Sequence, residues 1–203
     1  MRSKTPSWVE LMQSEIDKRL IPEQEALLKS LIGKKIDKIR HDPFEYSYKR
    51  ITIFCEDGVY ELNNGVEALD FMWDDFGEET VGVFKFFKTE DKGIDYDYGC
   101  EGYPAQVETP VEKTLLDAIL VEDHVEAFSR ASGDRFSQYD YVKGVILVFE
   151  GIKYSFVRDI WFSDDIAIYK GNDPEEKIGD PDEDWEPGEE VYYTNVRKMR
   201  SLK

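Results

Sequence analysis

Asp180, Asp182 and Asp184 alternate along GDPDEDWEPGEE, the spacing at which a calcium loop begins to wrap its ion. Such a loop also needs glycine at its sixth position and glutamate at its twelfth. Trp185 and Val191 stand there instead, so the calcium loop is excluded. The stretch has the composition of a docking surface. Trp185 and Glu186, among Asp180, Asp182 and Asp184, match an aromatic anchor set in a charged rim. Asp95 and Asp97, interleaved with Tyr96 and Tyr98, form a second acid–aromatic stretch.

His41 and His124 are the only histidines, so a general base of the usual kind is one of them. Glu122 and Asp123 precede His124, and Asp42 follows His41. Carboxylates beside an imidazole are the ingredients of a divalent-metal site, and through it of metal-dependent hydrolysis. No G-x-S-x-G, H-E-x-x-H or H-x-E with P-C-x-x-C accompanies them, and no phosphate loop or dinucleotide fingerprint occurs. Cys55 falls in a strand pattern. Cys100 falls in an acidic loop, a setting that disfavours a thiolate. No cofactor is expected.

The chain carries 44 Asp and Glu against 26 Lys and Arg, a net charge of −18. Such a surface repels duplex nucleic acid and anionic membranes and suits a basic partner protein. The charge is uneven: +3 over residues 1–40, −16 over 41–172, −9 over 173–190 and +4 over 191–203, where Arg197, Lys198, Arg200 and Lys203 form a basic tail. No apolar leader and no run of 18 apolar residues occurs, and cysteines are few, which together point to the cytoplasm.

The elements that would position these residues follow from periodicity. Trp8, Leu11, Met12, Ile16 and Leu20 make a helical stripe, with Ser7 as cap, and predict an N-terminal helix within 1–21. Pro22 opens a second helix with Leu27, Leu28, Leu31 and Ile32 inward and Gly33 ending it. Strands follow at 34–41 and 51–56, then an Asp57-Gly58 hairpin, a return over 59–62, a turn at Asn63-Asn64-Gly65, a short helix over 66–73 and a strand at 81–87. Residues 89–109 read as a surface loop. Pro110 then keeps the same spacing to Leu115 and Leu116 that Pro22 keeps to Leu27 and Leu28. A strand, a hairpin at Glu150-Gly151 and the apolar run Val142–Tyr169 come next, with a last strand over 191–196.

The expected fold is therefore α+β: antiparallel sheet with helices on one face, built from two similar helix–strand–hairpin units over 22–109 and 110–203 in one compact domain. The expected function is an acidic cytosolic binding module that inhibits or masks a basic partner, in the style of an immunity protein or nucleic-acid mimic. Two alternatives stand beside it. One is a metal-dependent hydrolase using His124, Glu122 and Asp123. The other is a self-assembling subunit that pairs exposed strand edges.

Overall fold

A computed structural model describes residues 14–41, 50–69, 79–90, 107–158, 165–181 and 191–203. Strand makes up 70% of it and helix 9%, so the expected α+β arrangement with helices laid on one sheet face is overturned: the architecture is two antiparallel sheets with one α-helix. That helix is α1 (Pro22–Lys29), opened by Pro22 with Glu23 and Glu25 in its first turn. Leu28 and Leu31 are fully buried beneath it. Gly33 ends the turn that follows at φ 88°, a conformation that suits glycine.

The first sheet consists of β2 (Lys35–His41), β3 (Arg50–Cys55), β4 (Gly58–Leu69), β5 (Glu79–Thr89) and β6 (Val107–Thr114), in the order β5-β4-β3-β2-β6. The second consists of β7 (Asp117–Ser129), β8 (Arg135–Phe149), β9 (Ile152–Arg158), β10 (Ile166–Gly171) and β11 (Val191–Ser201), in the order β10-β9-β8-β7-β11. A further strand, β1 (Ser14–Lys18), lies parallel to β8. The two orders are the same. Each is a four-strand meander whose fifth strand returns beside the first.

The helix–strand–hairpin repeat is thus corrected, because its second helix does not exist. Residues 107–114 are strand, with Pro110 opposite Lys38 where the β2–β6 register shifts. The reason is local composition. PEQEALLK is built of strong helix formers, whereas VETPVEKT carries Val107, Thr109, Val111 and Thr114, whose branched side chains favour the pleat. Pro110 is tolerated because β6 is an edge strand.

The N-terminal helix is corrected in its described part. Ser14–Lys18 pairs with Ser137–Tyr141, a stretch of β8 that β9 does not reach, since β9 pairs only Gly144–Phe149. Residues 1–13 lie outside the described residues. Asn63-Asn64-Gly65 is not a turn either. β4 runs through it with unbroken pairing to β5, and Asn64 is buried with Nδ2 donating to the Asp165 carbonyl at 3.4 Å. The short helix read over 66–73 is strand as far as Leu69, and 70–73 lie outside the described residues. The three strands read in Val142–Tyr169 are present as the second half of β8, β9 and β10. The basic tail is not a tail: Arg197, Lys198 and Arg200 lie inside β11.

One core joins the sheets. Ile36, Ile39, Ile51, Ile53, Tyr60, Leu62, Phe84 and Phe86 of the first sheet cluster with Leu120, Val145, Leu147, Phe149 and Phe156 of the second, closed at one side by Leu28 and Leu31. Val81 and Val83 of β5 enter a second, smaller cluster with Val125, Tyr139 and Tyr141. Lys143 is an extra residue between Val142 and Gly144 in the β7–β8 register, a bulge. It turns the two halves of β8 so that Val145 and Leu147 serve the large cluster and Tyr139 and Tyr141 the small one.

The sheets keep the same ends together. At one end are the two-residue turns Glu56-Asp57 and Glu150-Gly151, where Lys113 Nζ of the first sheet donates to the Glu150 carbonyl at 3.0 Å. In the first turn, Asp57 accepts from the Lys34 ammonium and from Tyr60 Oη at 3.0 Å. The Lys34 hydrogen bond holds the Asp57 carboxyl down at about 2.

Gly144 faces Val157 across β8 and β9, and a Cβ there would stand 2.9 Å from the Phe156 carbonyl oxygen. Gly144→Ala is expected to destabilise the protein by about 1–3 kcal/mol through overpacking, read by urea denaturation. Because the Asp57 pKa is depressed on folding, its stabilisation is complete above the ordinary carboxylate range and is lost as pH falls toward about 2. The stability gap between wild type and Asp57→Asn, measured across that range, should close on acidification.

Candidate functional site

β7 and β8 fold about the turn near Ser132, which sets Glu122 opposite Val142, His124 opposite Asp140 and Glu126 opposite Gln138. On that face His124 Nδ1 lies 2.8 Å from Asp140 Oδ1, and Gln138 Nε2 donates to Asp140 Oδ2 at 2.6 Å. Arg135 donates to Glu126 Oε1 at 2.9 Å and to Gln138 Oε1 at 2.7 Å. The imidazole is oriented by a carboxylate, with its Nε2 4.0 Å from Glu126 Oε1. Asp140 gives His124 a fixed orientation.

The proposed ligand triad comes apart on the pleat. Successive strand residues face opposite ways, so Glu122 and His124 share one face and Asp123 takes the other. Asp123 is buried in a two-pronged ion pair, Arg197 Nε to Oδ1 and Nη2 to Oδ2, both 2.7 Å, with Tyr141 Oη 3.3 Å from Oδ2. Glu122 accepts from Arg200 at 3.0 and 3.2 Å, and Arg200 also grips Glu25 of α1 with two 2.8 Å bonds. Among the described residues no three His, Cys, Asp or Glu side chains converge as a metal set. His41 ends β2, opposite Ile51 and Val107 in the first sheet, whereas His124 lies in the second, and Asp42 lies outside the described residues. Cys55 is a buried free thiol whose pKa burial pushes up, and Cys100 lies outside.

The same pattern holds across the sheets: acids are answered by cations. The Lys18 and Lys85 ammoniums, both 2.7 Å from Glu67, hold its carboxyl below the ordinary range. Arg19 does so for Asp17, and Arg200 for Glu25. Lys38 sits on Glu108 at 2.7 Å and Lys153 on Glu175 at 2.5 Å. The described residues carry 25 acids and 22 Lys and Arg, a net of −3. The other 61 residues of the sequence carry the remaining 19 acids and 4 Lys and Arg, a net of −15. Nearly all the excess charge of the chain is therefore written into five stretches, 42–49, 70–78, 91–106, 159–164 and 182–190, with 18 acids and 2 Lys and Arg, while 1–13 is net +1.

Four of these stretches, 1–13, 42–49, 70–78 and 159–164, join the described strands at a common end, where 91–106 and 182–190 also meet Val107 and Val191; 91–106 starts from Glu90 at the other end, next to Thr89, which pairs with Val59. His41, Arg50 and Val107 are in register with one another or with direct neighbours, as are Leu69 and Glu79, Arg158 and Ile166, and Val191 and Ser129. All stand at the end of their strands opposite the Glu56-Asp57 and Glu150-Gly151 turns. The small cluster that unites Val81 and Val83 with Val125 and Tyr139 brings that end of one sheet to the same end of the other.

Of the docking residues read from the sequence, Asp180 is described. It is exposed, just beyond a single 3-10 turn at Pro174–Lys177. Next to it the Gly179 and Pro181 carbonyls accept from Arg197 Nη1 and, at 3.2 Å, from Asn195 Nδ2, which fixes this segment to β11. Asp95, Asp97, Asp182, Asp184, Trp185 and Glu186 lie outside the described residues. No described helix is long and apolar enough to cross a membrane. No family model, no curated protein and no solved structure matches the chain.

Removing one partner of a buried ion pair leaves an uncompensated charge. Arg197→Met is expected to cost about 3–5 kcal/mol, and Arg197→Met with Asp123→Leu to recover most of it. Thermal and urea unfolding of the single and double variants check this. Equal loss in both would show that Asp123 is not held by Arg197.

Proposed function

We propose that this protein is an acidic binding module that captures and masks a basic partner protein in the cytoplasm. The observation that supports it is the division of charge. The described residues are nearly neutral, with 25 acids against 22 Lys and Arg, whereas the rest of the sequence carries −15. An excess of carboxylates over cations raises a long-range field that speeds capture of a positively charged protein and weakens with salt. Asp95, Asp97, Asp180, Asp182, Asp184 and Glu186 supply the charge in this reading, and Trp185 the anchor whose burial gives residence time. Tyr96 and Tyr98 are suited to the same work, since tyrosine covers area at low entropic cost.

The partner's nucleic-acid site is the natural target, because a surface built to hold phosphates accepts carboxylates in their place. Of the residues the hydrolase reading names, Glu122 and His124 share one face of β7 and Asp123 takes the other.

The test is capture from native lysate at low salt, repeated at high salt and after nuclease digestion. The expected result is one stoichiometric basic protein, released by salt and unaffected by nuclease. With that protein purified, neutralising Asp95, Asp97, Asp180, Asp182 and Asp184 to Asn should slow association about tenfold or more, as loss of steering charges does. Unchanged association in the five-residue variant would overturn the reading.

A further inference from the structure

We propose that residues 172–181 form a releasable strap across the second sheet, latched by Lys153 and Glu175 and able to lift while both sheets stay folded.

The register shows what the strap covers. The large cluster takes Ala118, Leu120, Val145, Leu147, Tyr154 and Phe156 from one face of the second sheet. Their neighbours along each strand point to the other face. There Val121, Gly144, Val157 and Ala167 form one cross-strand row, and Ile119, Ile146, Ser155 and Tyr169 form the next. Val121, Ile146 and Ser155 are fully buried and Val157 and Ala167 nearly so, yet none of them belongs to either cluster.

Lys153 and Arg197 stand on this face, on either side of those rows. Glu175 lies 2.5 Å from Lys153 Nζ, and the Gly179 carbonyl accepts from Arg197 Nη1. The segment therefore runs from β10, over β9, β8 and β7, to β11. Four strand spacings of about 4.8 Å make a crossing of about 19 Å. Ten residues reach up to about 33 Å, so the crossing is made with slack.

The hold on the strap is slight. Pro174 is buried and Ile178 half-buried, while Asp173, Glu176, Lys177 and Asp180 are exposed. The seam beneath is imperfectly satisfied. The Ser155 hydroxyl and Glu175 Oε2 are buried without a hydrogen-bond partner among the described residues. Opening gives both to water and so removes a penalty of the closed state. Against opening stand the partly exposed Lys153 ion pair at one end and hydrogen bonds from Arg197 and Asn195 at the other. Segments with so few apolar contacts open well below the free energy of global unfolding.

The strap leads directly into 182–190. Lifting it extends that acid-rich stretch back to residue 172 and adds Asp173, Glu175, Glu176 and Asp180 to its reach. A basic partner competes with Lys153 for Glu175, so partner binding and strap opening favour each other. This consequence rests on the binding reading above; the opening itself does not.

The test places a thiol under the strap. Ser155→Cys is close to isosteric, Cys100→Ser removes one native thiol, and Cys55, buried in the large cluster, reports global unfolding in the same chain. Labelling by a thiol-reactive disulfide is followed at both sites, each relative to its rate in urea. The introduced thiol should label roughly tenfold or more faster than Cys55. Adding Lys153→Met should raise that ratio about fivefold, the weight of a partly exposed ion pair. A short oligolysine should raise it where Lys153 is intact. As a second measurement, trypsin should cut the wild-type chain after Lys177 before it cuts within any strand. Equal labelling of the two thiols would overturn the strap. So would a ratio that Lys153→Met leaves unchanged, or strands cut before Lys177. With fast labelling but no response to oligolysine, the strap stands and its link to partner capture falls.

Discussion

The structure depends on satisfying both edges of β8. Fifteen residues long and buried along most of its length, it has no water to answer its main-chain groups. β7 covers one edge from end to end. β9 covers only the Gly144–Phe149 half of the other, and β1 is drawn in parallel beside Ser137–Tyr141 to cover the rest. From this follow the strand conformation of a segment whose own pattern is helical, the bulge at Lys143, and the two clusters that the halves of β8 serve. The bulge is what allows one strand to hold two cores, and the smaller of them fixes the common end of both sheets.

Much of the fold was legible in the sequence, and what was not has local causes. α1, opened by Pro22 and followed by Gly33, was read correctly because its terminal residues and periodicity agreed there. β2, β3, β5 and the β8–β9–β10 run were read correctly because β-branched and aromatic residues concentrate in them. The misreadings arose where a local signal met a stronger distant demand. Pro110 looked like a helix start because its spacing to Leu115 and Leu116 copies that of Pro22, but its neighbours Thr109 and Val111 prefer the pleat. Asn63-Asn64-Gly65 looked like a turn, yet β5 offers pairing along its whole length. Ile16 and Leu20 looked like one helical stripe, and they serve different clusters.

The candidate site was legible in kind more than in place. His124 was singled out, and its flanking acids were the obvious partners by proximity in sequence. The pleat separates such neighbours. Its actual partner, Asp140, is found by folding the hairpin about Ser132. Arg197 and Arg200 read as a loose basic tail because nothing in a single sequence announces that Asp123 and Glu122 wait for them one strand away. Those pairings make the sheets self-neutral, so that the −18 of the chain becomes a property of the stretches between strands. That separation of a neutral scaffold from charged connections is the physical content of the functional reading.

The most direct measurement is a titration of the isotope-labelled protein with a short oligolysine, followed through its backbone amide resonances at low salt. The account requires the shifts to gather at His41, Arg50, Val107, Asp165 and Val191, at the end of the sheets where most of the acid-rich stretches are joined. Shifts centred on the Glu56-Asp57 and Glu150-Gly151 turns, or spread evenly over both sheets, would contradict it.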